Sequence, residues 1–242
     1  MHRQYNDKFY RYQEGVSLSS AKEIVPIVME RLGRPNSVLD LGCGRGAWLS
    51  VFREHGTDKI TGVDGNYVNK EKLLIEKKDF IGYDLQKPLN LEKKYDLAMS
   101  VEVAEHIPAE YANIFVQNLC SHSDVVLFSA AIPDQGGRNH VNEQYPSYWA
   151  ELFGREGYIC FDILRPAMWK NKGIQTSYRQ NIMLYARNTS SAAKRLGGGK
   201  PPEYPPLDVI HPDLFKHPSW LLRIQWRIIK TLMPTTFRRI KQ

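Results

Sequence analysis

The sequence predicts an α/β domain: a doubly wound, mostly parallel seven-stranded sheet with helices on both faces. Three observations carry this. Short apolar runs alternate with helix-patterned segments up to residue 188. A glycine-rich turn joins the first of those runs to a helix. The chain has 242 residues, 42% of them hydrophobic, which is enough for one such core with a segment left over.

Taken in order, Ser20 to Leu32 reads as a helix, with Pro26 in its first turn or kinking it. Ser37 to Leu41 is a short buried strand, followed by glycines and a helix from Ala47 to His55. Lys59 to Val63 is the second strand and ends at Asp64. Phe80 to Tyr83 and Tyr95 to Val101 are the third and fourth. Glu110 to Cys120 is expected to be helical, Asp124 to Ala130 a fifth strand, and Ser147 to Glu156 a helix. Cys160 to Leu164 and Asn181 to Ala186 close the sheet. In such a sheet the ligand lies beyond the carboxyl ends of the first strands.

Residues 1–188 are therefore expected to form the folded domain. Thr189 to Pro206, rich in Ser, Gly and Pro, reads as a linker, and 207–242 as a basic amphipathic tail. The net charge of +7 sits wholly in residues 189–242, which hold ten Lys/Arg against three acids. The neutral body argues against a nucleic-acid-binding face. Within the tail, Arg223, Arg227 and Lys230 share one helical face of Ser219 to Met233, among Trp220, Ile224 and Ile228. That pattern suits a peripheral membrane surface at 219–233, or docking on the body or a second subunit. The apolar runs are too short for a bilayer-spanning helix, and residues 1–12 do not read as a signal peptide. Three scattered cysteines build neither a disulfide framework nor a zinc site. A cytoplasmic protein, peripheral at the inner membrane face if the tail binds lipid, is expected.

The chemistry begins at SVLDLGCGRGAW, where Gly42, Gly44 and Gly46 follow a strand and open a helix. Glycines there allow a tight turn and a close ligand approach, and the helix N-terminus favours an anionic group. The pattern alone fits either a dinucleotide or another adenosyl cofactor. Asp64 ends the second strand, where a carboxylate accepts the hydroxyls of a ribose, and Asp84 ends the third, within reach of an adenine amino group or simply capping a turn. With Asp40, this set resembles the class I S-adenosylmethionine-dependent methyltransferases, whose fold is Rossmann-like; the signature spans most of residues 37–132. The resemblance implies that Asp40, Gly42 and Gly44 lie along the methionine end, that Asp64 holds the ribose, and that Asp84 is near the adenine. Cys43, Gly65, Leu85, Val101 and Glu102 complete the expected cofactor-contacting set, Cys43 as a small packing residue.

The fourth strand runs into SVEVAEHIP, bringing Glu102, Glu105 and His106 to where a transferred methyl is presented. A loop after the fifth strand adds His140, Asn142 and Glu143 at the same end. Two carboxylates and two imidazoles converging there suit Mg²⁺ or Mn²⁺; an acid–histidine pair shaping the cofactor pocket is the plainer use. The E-x-x-E-H segment with a later histidine resembles the small-RNA 3′-terminal 2′-O-methyltransferases. By that resemblance Glu102, Glu105, His106 and His140 hold a divalent metal. The wider phrasing, from about residue 9 to 187, resembles bacterial class I methyltransferases of surface-polysaccharide and glycan biosynthesis. Without a metal, His106 or His140, beside Glu105, serves as the catalytic base.

The expected activity is O-methylation of a hydroxyl on a sugar-containing acceptor, a polysaccharide or glycolipid precursor. RNA 2′-O-methylation is the first alternative. A NAD(P)-binding oxidoreductase and a non-catalytic interaction module are rivals of other classes. Tyr148, Trp149 and Trp169 are candidates for a sugar-stacking surface, with core packing the competing use, and Tyr178 to Asn181 for an acceptor-facing segment.

Overall fold

The computed structural model describes residues 7–197 and 208–216. It divides into Met1–Val209, which carries the sheet, and Ile210–Gln242, of which a short 3₁₀ turn at Pro212–Lys216 is described.

In the first unit, strands β1 (Ser37–Leu41), β2 (Lys59–Asp64), β3 (Phe80–Gly82), β4 (Leu97–Val101), β5 (Val125–Ser129), β6 (Tyr158–Phe161) and β7 (Met183–Arg187) form one sheet in the order β3-β2-β1-β4-β5-β7-β6. The first five are parallel, with Leu39 opposite Thr61 and Ala98 opposite Val126. β7 is antiparallel to both neighbours, Leu127 facing Leu184 and Cys160 facing Tyr185. The expected seven-stranded, mostly parallel sheet is thus the observed one.

Among the described residues, seven helices flank it: α1 (Asp7–Leu32), α2 (Ala47–Glu54), α3 (Ala112–His122), α4 (Pro146–Arg155), α5 (Leu164–Met168), α6 (Thr176–Asn181) and α7 (Ser191–Gly197). The central strands bury both faces, so their residues alternate between two apolar layers. Leu97 and Met99 join Ile24, Val28, Leu49, Phe52 and Ala192 on the face covered by α1, α2, α5 and α7. Ala98 and Phe128 join Phe115, Leu119, Trp149 and Phe153 beneath α3 and α4. Phe128 meets the rings of Trp149 and Phe153 at 5.1 and 5.2 Å, which pins α4 to the sheet.

Four differences from the sequence expectation have physical causes. α1 begins at Asp7, well before Ser20, with Pro26 in its interior. Its first half is ordered by contacts made elsewhere in the fold: Glu14 pairs with Arg45 at 3.4 Å, and Ser17 Oγ meets Tyr178 Oη at 3.0 Å. The sixth strand ends at Phe161, because Leu164 opens α5. β7 starts at Met183, because Asn181 belongs to α6. Finally, α7 falls inside the stretch expected to be a linker. SAAKRL contains good helix formers, and Ala192 and Ala193 are buried against the body while Arg195 donates to the Leu32 carbonyl. Residues 208–209 also hold to this unit: Asp208 accepts the Ser147 N–H and hydroxyl at 2.9 and 2.7 Å, and Val209 O accepts from Gln180. The expected membrane-surface helix at 219–233 lies outside the described residues. No described helix is long and apolar enough to cross a membrane.

Candidate functional site

The site forms at the carboxyl ends of β1, β2, β4 and β5, where the loops of the parallel strands gather. Gly42 leaves β1 with φ +89°, and a Cβ on it would lie 2.4 Å from one methyl of Val103. Only glycine lets the loop lie this close to the segment after β4. The loop is tied to β2 by Gly42 N donating to Val63 O at 2.8 Å, and Gly46, at φ +86°, caps α2.

Asp64 is the hub of the cofactor half. Its Oδ2 accepts the Gly44 N–H at 2.7 Å; its Oδ1 accepts the Gly65 N–H at 2.6 Å and the Tyr67 hydroxyl at 2.7 Å. Burial raises its carboxyl, and those three hydrogen bonds partly offset the rise. Asp40 is fully enclosed; burial, then the charge of Asp64, holds its carboxyl well above the usual range. Burial, with Asp40 and Asp64 beyond it, also pushes the Cys43 thiol well up, which leaves a packing residue and no thiolate nucleophile. Gly65 follows Asp64 directly beneath the Tyr67 ring. Asp84 is exposed and accepts the Gln86 N–H in a turn of its own, the turn-capping use, while Leu85 packs into the core. Val101 is half-buried against the opposite layer.

The acid–histidine cluster is built from three segments. Glu102 ends β4 with a left-handed backbone, φ +55°, its N–H bound to Ser129 O and Oγ. Its side chain is clamped by amides: Asn181 Nδ2 donates to Oε1 at 3.0 Å and Gln135 Nε2 to Oε2 at 3.1 Å. Glu105 and His106 lie on one 3₁₀ turn, Ala104–His106. The loop after β5 docks on that turn through Val141 N and Asn142 N, both donating to Glu105 O, and places the His140 ring 4.9 Å from that of His106, edge-on. His140 Nδ1 is 2.7 Å from Glu143 Oε1, and its Nε2 is 4.0 Å from Glu105 Oε1. Glu143 is fixed in turn by the backbone N–H groups of Asp134 and Gly136.

Among the described residues, Glu105, His106 and His140 bring one ligand atom each within 4.8 Å of one another. Glu102, expected as a fourth ligand, is not in this group, and both of its oxygens accept from amides. Glu105 is 1% exposed, and its Oε2 has no partner among the described residues. Burial, then the charge of Glu102, raises its carboxyl well above the usual range. His106 is shifted down, chiefly by burial and opposed by its contact to Asn139 O, and is neutral at pH 7.

Trp149 is core, Tyr148 lies edge-on against it, and in the Tyr178–Asn181 segment Asn181 is bonded to the cluster. Sequence reasoning missed Gln135 and Tyr67. Nothing local marks Gln135, whereas Tyr67 stands three residues after the acid of β2.

A family model described as a methyltransferase domain matches residues 10–161. No curated protein matches the chain. Among solved structures, a putative O-methyltransferase from Nostoc punctiforme is 14% identical with a TM-score of 0.55, over 74% of this chain and 59% of that one. The sugar N-methyltransferase KedS8 from Streptoalloteichus is 14% identical with a TM-score of 0.57, over 76% and 93%. The methyltransferase domain of a bacterial Hen1 is 19% identical with a TM-score of 0.52, over 70% and 98%. At these identities the likeness is one of fold. This chain spans less than two thirds of the Nostoc protein.

Proposed function

The chain belongs to the methyltransferase-domain family; from that premise we propose that it is an S-adenosylmethionine-dependent methyltransferase and that it methylates a hydroxyl on a sugar-containing acceptor, a polysaccharide or glycolipid precursor. The oxidoreductase alternative falls with the family membership. The observation that carries the proposal is the Glu105–His106–His140 cluster beside the glycine loop, with Glu143 behind His140.

The sulfonium is already a strong electrophile, so the protein has to align the acceptor oxygen behind the methyl and take its proton. An amine near its own pKa needs little such help; a hydroxyl needs it, which favours O-methylation. Glu143 accepts a hydrogen bond from His140 Nδ1, which turns Nε2 towards Glu105. Burial raises the carboxyls of Asp40, Glu102 and Glu105, and a cationic cofactor bound beside them would favour their ionised forms in return.

A divalent metal is compatible with these residues: one buried carboxylate oxygen without a partner and two imidazoles form a donor set that takes Mg²⁺ or Mn²⁺. Glu105, His106 and His140 would hold it, and it would supply Lewis-acid assistance in lowering the acceptor's pKa. The sugar assignment is supported by the neutral body, and the fold is shared with KedS8, a sugar N-methyltransferase. RNA 2′-O-methylation is the second reading, favoured by the cluster's likeness to the small-RNA enzymes. Methyl transfer from labelled cofactor into fractionated glycans, lipids and RNA tests both. O-methyl sugar in the glycan or glycolipid fraction is expected, and label confined to the 3′ end of RNA overturns the sugar assignment.

A further inference from the structure

We propose that Tyr67 is a displaceable ligand of Asp64, its hydroxyl giving way to a ribose hydroxyl when the cofactor binds. The proposal rests on Asp64 as the ribose acceptor. A carboxylate offers about four lone-pair positions. At Asp64 the N–H groups of Gly44 and Gly65 and the Tyr67 hydroxyl take three of them. A ribose presents two neighbouring hydroxyls, for which a single position is left. One of the three donors has to leave.

Two of those donors cannot leave cheaply. The Gly44 and Gly65 N–H groups belong to the turns that end β1 and β2, and the first of these turns is tied to Val63 O by Gly42 N. Shifting either would disturb the sheet edge. Tyr67 differs in kind: it is 57% exposed, so it has little packing to lose. Its ring lies over Gly65, where a Cβ would come within 2.1 Å of Cε1. Side-chain rotation alone withdraws the hydroxyl. The contact also has a use when no ribose is on the carboxylate. Asp64 is buried, and the Tyr67 hydrogen bond is the largest of the three influences that lower its pKa against that burial. The tyrosine shifts Asp64 towards its ionised form and keeps it aimed.

The test is calorimetric titration of S-adenosylhomocysteine into wild type and Tyr67→Phe, with thermal unfolding in the absence and presence of saturating ligand. Removing a competitor hydrogen bond should tighten binding by about threefold to tenfold. The melting temperature of Tyr67→Phe should fall below wild type without ligand and match it at saturation, since the lost bond is absent from the complex. Tyr67→Leu, which also lacks the hydroxyl, should tighten binding in the same direction. Affinity unchanged within about twofold, or weakened, in Tyr67→Phe overturns the proposal, as does a melting deficit that persists at saturation. Asp64→Asn separates the two levels. If it binds S-adenosylhomocysteine as well as wild type does, the ribose assignment of Asp64 fails and takes the proposal with it.

Discussion

Replacing Gly42 by alanine strikes the point where the cofactor loop and the acid–histidine segment touch. Two costs arise. The backbone sits at φ +89°, a region that costs an L-residue roughly 1–2 kcal/mol. The added Cβ would fall 2.4 and 2.5 Å from the two methyls of Val103, far inside contact distance. Both methyls branch from Cβ, so no rotamer of Val103 clears the space, and the overpacking adds about 1–3 kcal/mol. The sum, roughly 2–5 kcal/mol, is a large share of the ~5–15 kcal/mol that holds a domain together. Val103→Ala removes both methyls and leaves only the Val103 Cβ at 3.0 Å, tight but accommodated by a small shift. Urea unfolding of Gly42→Ala, Val103→Ala and the double variant should therefore give a favourable coupling of about 1–3 kcal/mol, while the backbone cost persists. A coupling below about 0.5 kcal/mol would refute the contact as the source of the strain.

Glu143→Gln removes the anionic partner of His140 while keeping its size; Mn²⁺ affinity, read by calorimetry, should fall about 10- to 100-fold, and an unchanged affinity would show that Glu143 does not orient a ligand. Asp40 has a folded pKa raised above its unfolded value, so its contribution to stability is complete below about pH 3.8 and is lost as pH rises through the folded value. Asp40→Asn should accordingly gain thermal stability relative to wild type between pH 5 and pH 8, and an equal difference at both would exclude the effect. Reversing Arg223, Arg227 and Lys230 to glutamate should abolish binding to anionic vesicles, each basic residue contributing about 1 kcal/mol at low salt; unchanged sedimentation with vesicles would end the membrane proposal.

The parts of the fold legible in the sequence are those whose signal is local. β1, β2, β4 and β5 bury both faces, so SVLDL, KITGV and VVLFS read as strands without any knowledge of their neighbours. α5 and α6 have five and six residues, too few for a helical period to show, and the first half of α1 owes its order to Ser17–Tyr178 and Glu14–Arg45, contacts invisible in a local window. The candidate site divides the same way. Glu102, Glu105 and His106 announce themselves by spacing, but the amides that clamp Glu102 lie 33 and 79 residues further on. Their arrival is decided by the strand order, which places β5 and β7 side by side.

The reversed direction of β7 changes which residues reach the site. In the parallel strands it is the residues that follow which reach the site, but at β7 it is those that precede, which is how Asn181 comes to hold Glu102. The stretch between β6 and β7 is nevertheless packed and not hinged: Leu164, Met168 and Ile182 lie in the same apolar layer as Trp48, whose ring Tyr178 meets edge-on at 5.4 Å. Exchanges at its buried positions should therefore be felt both by the amide clamp on Glu102 and by the helix that the glycine loop opens. Grafting residues 162–182 between relatives should accordingly succeed only when the α1 and α2 positions that receive them, Ser17, Ser20 and Trp48, travel with the graft.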